Sequence, residues 1–215
     1  IFGVSLTIPY KEVVAGCLDE VDEMAVKIGA ENTNVNKDNR LYGYNTDCLA
    51  AVTPLWPHGI AHKRICIIGA GGAARAVGFG VWEHQASLVI VNRNPERGKA
   101  LAKKLDGDFI PLSNQAELIA LKPDILINTT SVGMTPQTHL SPYPEAGLSP
   151  GMVVMDVIYT PVETLLLRQA KHRGCVVIDG LDMFVNQGAA QFRLWTGIDP
   201  DIDFMRQTVL NSLNP

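Results

Sequence analysis

The chain has 215 residues, 47% of them apolar and 19% charged, with a formal net charge of −4. That balance supplies ample material for a buried core and excludes an intrinsically disordered chain. Without a basic excess, nucleic acid and anionic membrane surfaces have no electrostatic footing as partners, and no apolar run approaches the roughly 20 residues of a membrane span. No basic, apolar leader opens the sequence, so a cytoplasmic protein is expected. Cys17, Cys48, Cys66 and Cys175 are scattered, with no C-x-x-C pair. Free thiols in a reducing compartment are expected, and neither a disulfide framework nor a metal site.

In chain order, the first element is a strand inside the apolar run Ile1 to Ile8, beginning with Ile rather than Met, as a processed or truncated chain does. Alternation puts Ser5 and Thr7 on one face, and Pro9 ends the strand. A helix is expected from about Lys11, where a lysine opposes the macrodipole and so points to a use other than structure. A short helix near Asp22 to Ile28 and a strand near Leu41 to Gly43 follow. Two polar clusters, Ala30-Glu31-Asn32-Thr33 and Gly43-Tyr44-Asn45-Thr46-Asp47, suit either the hydroxyls of a small polyol or ordinary turn chemistry. Pro54, Pro57 and Gly59 interrupt the pattern and place a domain boundary within Ala51 to His62.

Beyond that boundary, short apolar runs alternate with helical spacing. Strands are expected at Arg64–Ile68, Ser87–Val91, Asp124–Asn128, Met152–Ile158 and Cys175–Ile178. Helices are expected at Ala73–Glu83 and Pro95–Leu105, and from a capping box at Thr160-Pro161-Val162-Glu163 to Gly174. Ser131 to Gly151 reads as a long loop, and residues 181–213 as two helices separated at Gly197 to Pro200. Continuously apolar strands between helices imply a parallel sheet covered on both faces.

Gly69-Ala70-Gly71-Gly72-Ala73-Ala74 follows a strand and opens a helix, which is the context of a dinucleotide-binding turn. Gly69 permits the tight turn, Gly71 lets the backbone approach a pyrophosphate, and Ala74 lets the helix sit close to its strand. At the end of the next strand an NAD site wants an acid; this chain has Asn92-Arg93 there. Asn92 does not repel a 2′-phosphate and Arg93 can pair with one, so NADP(H) is favoured over NAD(H). Arg97 and Lys99 add positive charge nearby and carry little weight.

Taken in order, these motifs resemble the shikimate dehydrogenase family along essentially the whole chain. Ser5 to Lys11, Asn32-Thr33 and Asn45-Thr46-Asp47 are similar to its substrate motifs. Gly69 to Ala74 with Arg75 is similar to its glycine loop, and Asn92-Arg93 to its NADP-phosphate clamp. Asn128 to Met134, Asp156 to Pro161 and Gly180 to Gly197 are similar to the loop beside the nicotinamide, the tyrosine motif of the cleft and the C-terminal helix. The resemblance implies a reversible NADPH-dependent reduction of 3-dehydroshikimate to shikimate, with Lys11 and Asp47 as catalytic pair. It implies substrate contacts from Thr7, Asn32, Tyr159 and Gln187. Cofactor contacts would come from Gly69, Ala70, Gly71, Gly72, Ala73, Asn92, Arg93, Thr130, Ser131, Gly180 and Met183.

The fold expected from it is α/β, a Rossmann-type parallel-sheet NADP-binding domain plus a smaller α/β substrate domain incomplete at its N-terminus. The substrate domain would span 1–51, the nucleotide domain 52–180, and the helices of 181–215 would fold back on the substrate domain. The sequence departs from the family pattern at Tyr10, where a histidine is usual, and at Glu31, where a small apolar residue is usual. Glu31 would place a further carboxylate beside an anionic substrate. A preceding family segment, whose Ser-x-Ser pair binds the substrate carboxylate, is not in this sequence. A quinate/shikimate dehydrogenase of broader specificity and a non-catalytic binding domain on the same fold remain as alternatives. So does a domain excised from a multifunctional enzyme.

Overall fold

The computed structural model describes residues 1–7 and 9–213. Ile8 of the expected first strand and the last two residues of the C-terminal unit lie outside the described residues. The architecture is α/β, with two sheets, as expected.

The first sheet has the order β1-β3-β4-β2, built from β1 (Gly3–Ser5), β2 (Glu20–Val21), β3 (Thr33–Lys37) and β4 (Arg40–Tyr44). β1 and β4 both run antiparallel to β3, and β2 runs parallel to β4. β3 has no strand signal in the sequence because TNVNK carries one apolar residue. Its hairpin turn is signalled instead by Asp38 and Asn39, which sit at φ 53° and 61°, the left-handed pair that a two-residue connection requires. The helix expected from Lys11 is two 3-10 turns, Tyr10–Glu12 and Val14–Cys17. The β-branched pair Val13-Val14 and Gly16 give the segment too little helix propensity to extend further. α1 (Glu23–Ile28) is capped by the Asp22 side chain, and α2 (Asp47–Val52) runs on through a 3-10 turn at Thr53–His58.

The second sheet has six parallel strands in the order β10-β9-β8-β5-β6-β7. They are β5 (Arg64–Ile68), β6 (Ser87–Asn92), β7 (Asp108–Pro111), β8 (Ile125–Asn128), β9 (Val153–Asp156) and β10 (Val176–Ile178). Helices α3 (Gly72–Glu83), α4 (Pro95–Lys104), α5 (Gln115–Leu121) and α6 (Leu165–His172) connect them. Because the strands are covered on both faces, alternate residues feed two cores. Ile65, Ile67, Ile90 and Ile127 face one, with residues of α2 and α3. Cys66, Ile68, Val89 and Leu126 face the other, with α5 and α6. The first core also takes Ile28 and Ala30, so apolar packing is continuous from the six-stranded sheet to the segment that precedes β3. Strand order reverses at β5, between β6 and β8, and in such sheets ligands bind beyond the strand ends at that point.

The capping box expected at Thr160 does not form. α6 starts at Leu165, with Thr164 as its cap, accepting from Leu167 N at 3.3 Å while its hydroxyl donates to Asp156 Oδ2 at 2.8 Å. That buried acceptor fixes Thr164 in the capping place, and Glu163 turns out to Lys171 instead. Two final helices follow, α7 (Gly180–Thr196) and α8 (Ile202–Leu213). Among the described residues no helix is long and apolar enough to cross a membrane.

α7 leaves the second sheet under a tight constraint. A Cβ on Gly180 would lie 2.5 Å from the carbonyl of Val157 and from Ile158 O, all main-chain atoms that cannot swing aside. Gly180→Ala is therefore expected to cost about 1–3 kcal/mol as an overpacking change, seen as a lower urea midpoint. An unchanged midpoint would show that the strand-to-helix approach is loose.

Candidate active site

Lys11 lies in the 3-10 turn after the first strand, tied to the following segment by Glu31 N donating to Lys11 O at 2.8 Å. Its Nζ meets Asp47 Oδ2 at 2.5 Å, with side-chain exposures of 16% and 4%. Asp47 is the first residue of α2, where the macrodipole favours a carboxylate. Its other oxygen accepts Asn32 Nδ2 at 2.9 Å. Asn32, fully buried, joins the neighbourhood together. Its amide nitrogen also reaches Thr46 Oγ1 at 2.9 Å and Gln187 Oε1 at 3.4 Å, and its oxygen accepts Thr46 N and the Thr33 hydroxyl. Of the sequence-derived candidates, Lys11, Asp47, Asn32 and Gln187 thus stand in one hydrogen-bonded group. Thr7 does not join it; it is exposed, two residues beyond the end of β1.

Asn45 serves structure, its amide donating to Ala30 O and its oxygen accepting from Cys48 N. Glu31, by contrast, is buried with Oε2 unpartnered, its stem beside Leu18 over Gly43. Burial raises its carboxyl above the usual range. Gln191 is a member of the group that sequence reasoning does not reach. Buried on α7 one turn beyond Gln187, it donates to Ser5 Oγ, Asn32 O and Thr33 Oγ1 at 3.0–3.1 Å. The i, i+4 pairing of two glutamines on one helix face is the available signal.

The glycine turn lies against this group. Gly69 takes φ +123°, and a Cβ there would strike the Thr129 side chain. Gly71 caps α3 without any side-chain bond, and nothing lies within 4 Å of where its Cβ would be. The N-terminus of a twelve-residue helix therefore opens onto free space over Gly71, the arrangement that receives phosphate. Gly72 touches the charged pair: a Cβ on it would be 3.1 Å from Lys11 Cβ and 3.4 Å from Lys11 Cδ. Ala70 and Ala73 complete the turn.

At the end of β6, Asn92 Nδ2 donates to Asn94 O and Asn94 Oδ1 caps α4 through Arg97 N, leaving Arg93 exposed. Across the strand reversal, Asn128 Oδ1 accepts Thr130 N at 3.0 Å and its hydroxyl at 2.7 Å, and Asn128 Nδ2 donates to Asp156 Oδ1. Ser131 is exposed beside Thr130. Tyr159 stacks on Phe184 with ring centroids 4.1 Å apart, and Met183 is buried next to it on α7.

Models of three units of one family match in order. The shikimate dehydrogenase substrate binding domain covers residues 1–34, shikimate / quinate 5-dehydrogenase covers 56–139, and the shikimate 5'-dehydrogenase C-terminal domain covers 180–210. A relative from Geobacillus kaustophilus (strain HTA426), named shikimate dehydrogenase (NADP(+)), is 44% identical over 220 residues, 99% of this chain and 79% of its own. The chain belongs to the shikimate dehydrogenase family. The resemblance expected from the motifs is confirmed over nearly the whole sequence. Among solved family structures, the shikimate 5-dehydrogenase of Thermus thermophilus, in complex with NADP(H) and shikimate, shares 36% identity at TM-score 0.88, over 98% of this chain and 79% of that one. The quinate dehydrogenase of Corynebacterium glutamicum, in complex with NAD, shares 30% identity at TM-score 0.89, over 98% and 78%.

In this shikimate dehydrogenase family member the cradle fits a phosphorylated dinucleotide: an uncapped helix N-terminus, open space over Gly71, and an amide and guanidinium where an NAD site carries an acid.

Asp156 holds the loop beside that cradle and is fully buried. Burial pushes its carboxyl from 3.8 up to about 6, against donors Ile158 N, Thr164 and Asn128, which favour the ionised form. The folded state thus binds this proton more tightly than the unfolded chain. The associated stability is complete below about pH 3.8 and is lost as pH rises through about 6. Asp156→Asn should remove this slope, on the order of 2–3 kcal/mol between about pH 4 and 6. Urea unfolding of both proteins across that range checks it, and parallel pH profiles would contradict the assignment.

Proposed function

We propose that this chain is an NADP-dependent shikimate dehydrogenase that reversibly reduces 3-dehydroshikimate to shikimate in aromatic amino acid biosynthesis. The observation that carries this reading is the Lys11–Asp47 pair, oriented by Asn32 and seated against the glycine turn at Gly72. The family membership and the relative named shikimate dehydrogenase (NADP(+)) support the choice of substrate and cofactor.

Bound NADPH supplies the hydride. The chain supplies position and a proton. Lys11 Nζ donates the proton to the substrate oxygen as charge develops there, and accepts it back in the oxidation direction. Asp47 Oδ2 fixes Nζ and, through the same carboxylate, receives a substrate hydroxyl. Asn32 and Gln187 present amides to neighbouring hydroxyls, with Thr7 and Tyr159 closing the polyol's other side. Gly69, Ala70, Gly71, Gly72 and Ala73 hold the pyrophosphate through backbone N–H groups, Asn92 and Arg93 the 2′-phosphate, and Thr130, Ser131, Gly180 and Met183 the nicotinamide end. On this reading residues 1–51 and the helices of 181–215 form the substrate side and 52–180 the cofactor side. The protein would be cytoplasmic, with small molecules as its partners.

A quinate-oxidising variant is the second reading, favoured by the likeness to the Corynebacterium glutamicum quinate dehydrogenase. Asn92-Arg93 in place of an acid weighs against its use of NAD.

Lys11→Met keeps the stem that packs on Gly72 while removing the proton donor. It should lower kcat for shikimate oxidation ~10²–10⁴-fold with NADPH binding retained. Absorbance at 340 nm with NADP and shikimate, then with NAD and quinate, provides the test. Near-normal kcat in the variant would refute the role of Lys11. Faster turnover of quinate with NAD by the unaltered chain would favour the second reading.

A further inference from the structure

Glu12 follows Lys11 in the same 3-10 turn, and its carboxylate reaches across to the six-stranded sheet's helices. One oxygen accepts Arg97 Nη2 at 2.7 Å, and the other faces Arg75 Nε at 3.4 Å. Arg75 stands on the first turn of α3 and Arg97 on the first turn of α4. Arg75 Nε is buried without a hydrogen bond, so its relation to Glu12 is one of charge alone. Arg97 Nη2 also lies 3.5 Å from Ala70 O, within the glycine turn. Its guanidinium therefore spans from the α4 end of the site to the turn, over the place where a dinucleotide's adenosine ribose lies on this fold. A third cation, Lys104, donates to Ile28 O at 3.1 Å, and burial and Arg75 lower its pKa. Three cations thus converge on this seam, and Glu12 is the carboxylate that meets two of them.

We propose that Glu12 is an internal substitute for the cofactor's 2′-phosphate. In the ligand-free protein it neutralises Arg97, and carboxylate and phosphate compete for the same guanidinium. The inference rests on the NADP-dependent reading and makes Glu12 a specificity-determining residue that the reading itself does not require. NAD(H), lacking the 2′-phosphate, leaves the Glu12–Arg97 pair intact, so Glu12 weakens NADP(H) selectively. The size follows from exposure: the Arg97 side chain is 54% exposed, and a pair so wet is weak.

The experiment is a titration of the full chain with NADP+ and with NAD+ at low and moderate salt, followed by tryptophan fluorescence. The proteins compared are the unaltered chain, Glu12→Gln, Arg97→Ala and the double variant. Glu12→Gln should tighten NADP+ about two- to fivefold, the range a wet ion pair spans, and steepen its salt dependence, with NAD+ unchanged. In the Arg97→Ala background most of that gain should vanish. Unchanged or weaker NADP+ binding in Glu12→Gln overturns the proposal, as does an equal change for both cofactors. An unaltered chain that shows no preference for NADP+ overturns the NADP-dependent reading and the proposal together. A preference with no Glu12 effect overturns the proposal alone.

Discussion

A carboxylate taken out of water must find its lost hydrogen bonds in the protein, or it takes up a proton instead. Asp47, 4% exposed at its side chain, is the place where this requirement shapes the molecule. Lys11 supplies the counter-charge and Asn32 the second donor. Asn32 is itself held by Thr33, Thr46 and Gln187, and its main-chain oxygen by Gln191. Four stretches of chain far apart in sequence therefore meet because one charge needs them. A network this complete fixes geometry, since any member that turned away would leave a buried polar atom unpaired.

The same lysine joins the two halves of the site. Its stem lies on Gly72, whose lack of a side chain lets the 3-10 turn approach the start of α3. The stem of Lys11 and the glycine turn thus meet in van der Waals contact, and the apolar core that runs from β5 to Ala30 backs that contact from behind. Chemistry that needs a hydride and a proton delivered to one carbonyl gains from such a rigid join, because reaction rates depend steeply on the relative placement of the two.

The second sheet is legible in the sequence because parallel strands buried on both faces read as unbroken apolar runs, as RICII does at β5. The glycine turn is legible for a different reason: it is a short string whose residues must be adjacent. Lys11 and Asp47 lie 36 residues apart, and only the resemblance of the motifs around each of them to one family brings them together as a pair. The misses share a cause. The start of β3 is polar because Thr33, and Asn32 just before it, are buried by hydrogen bonds rather than by apolar contact, and strand signals track apolarity. Gln191 depends on Thr33, 158 residues away, and the cap at Thr164 on Asp156, 8 residues away, and no local pattern announces either partner. Glu31 reads as a further carboxylate beside the substrate, and its burial has no local signal because its neighbours Leu18 and Gly43 come from other parts of the first sheet's chain.

α7 begins at Gly180, wedged on the main chain after β9, and near its far end Trp195 Nε1 donates to Asn34 O on β3. Seen mechanically, it is a lever clamped in one sheet and loaded by the other. At 1.5 Å per residue, Gln187 lies roughly 10 Å from the clamp and Trp195 roughly 22 Å from it. A tilt of about 5° then carries Trp195 some 2 Å but Gln187 only about 1 Å. The glutamine that reaches Asn32 sits on the short arm, so a given tilt of the helix displaces the amide contact at the charged pair by half as far as the helix end.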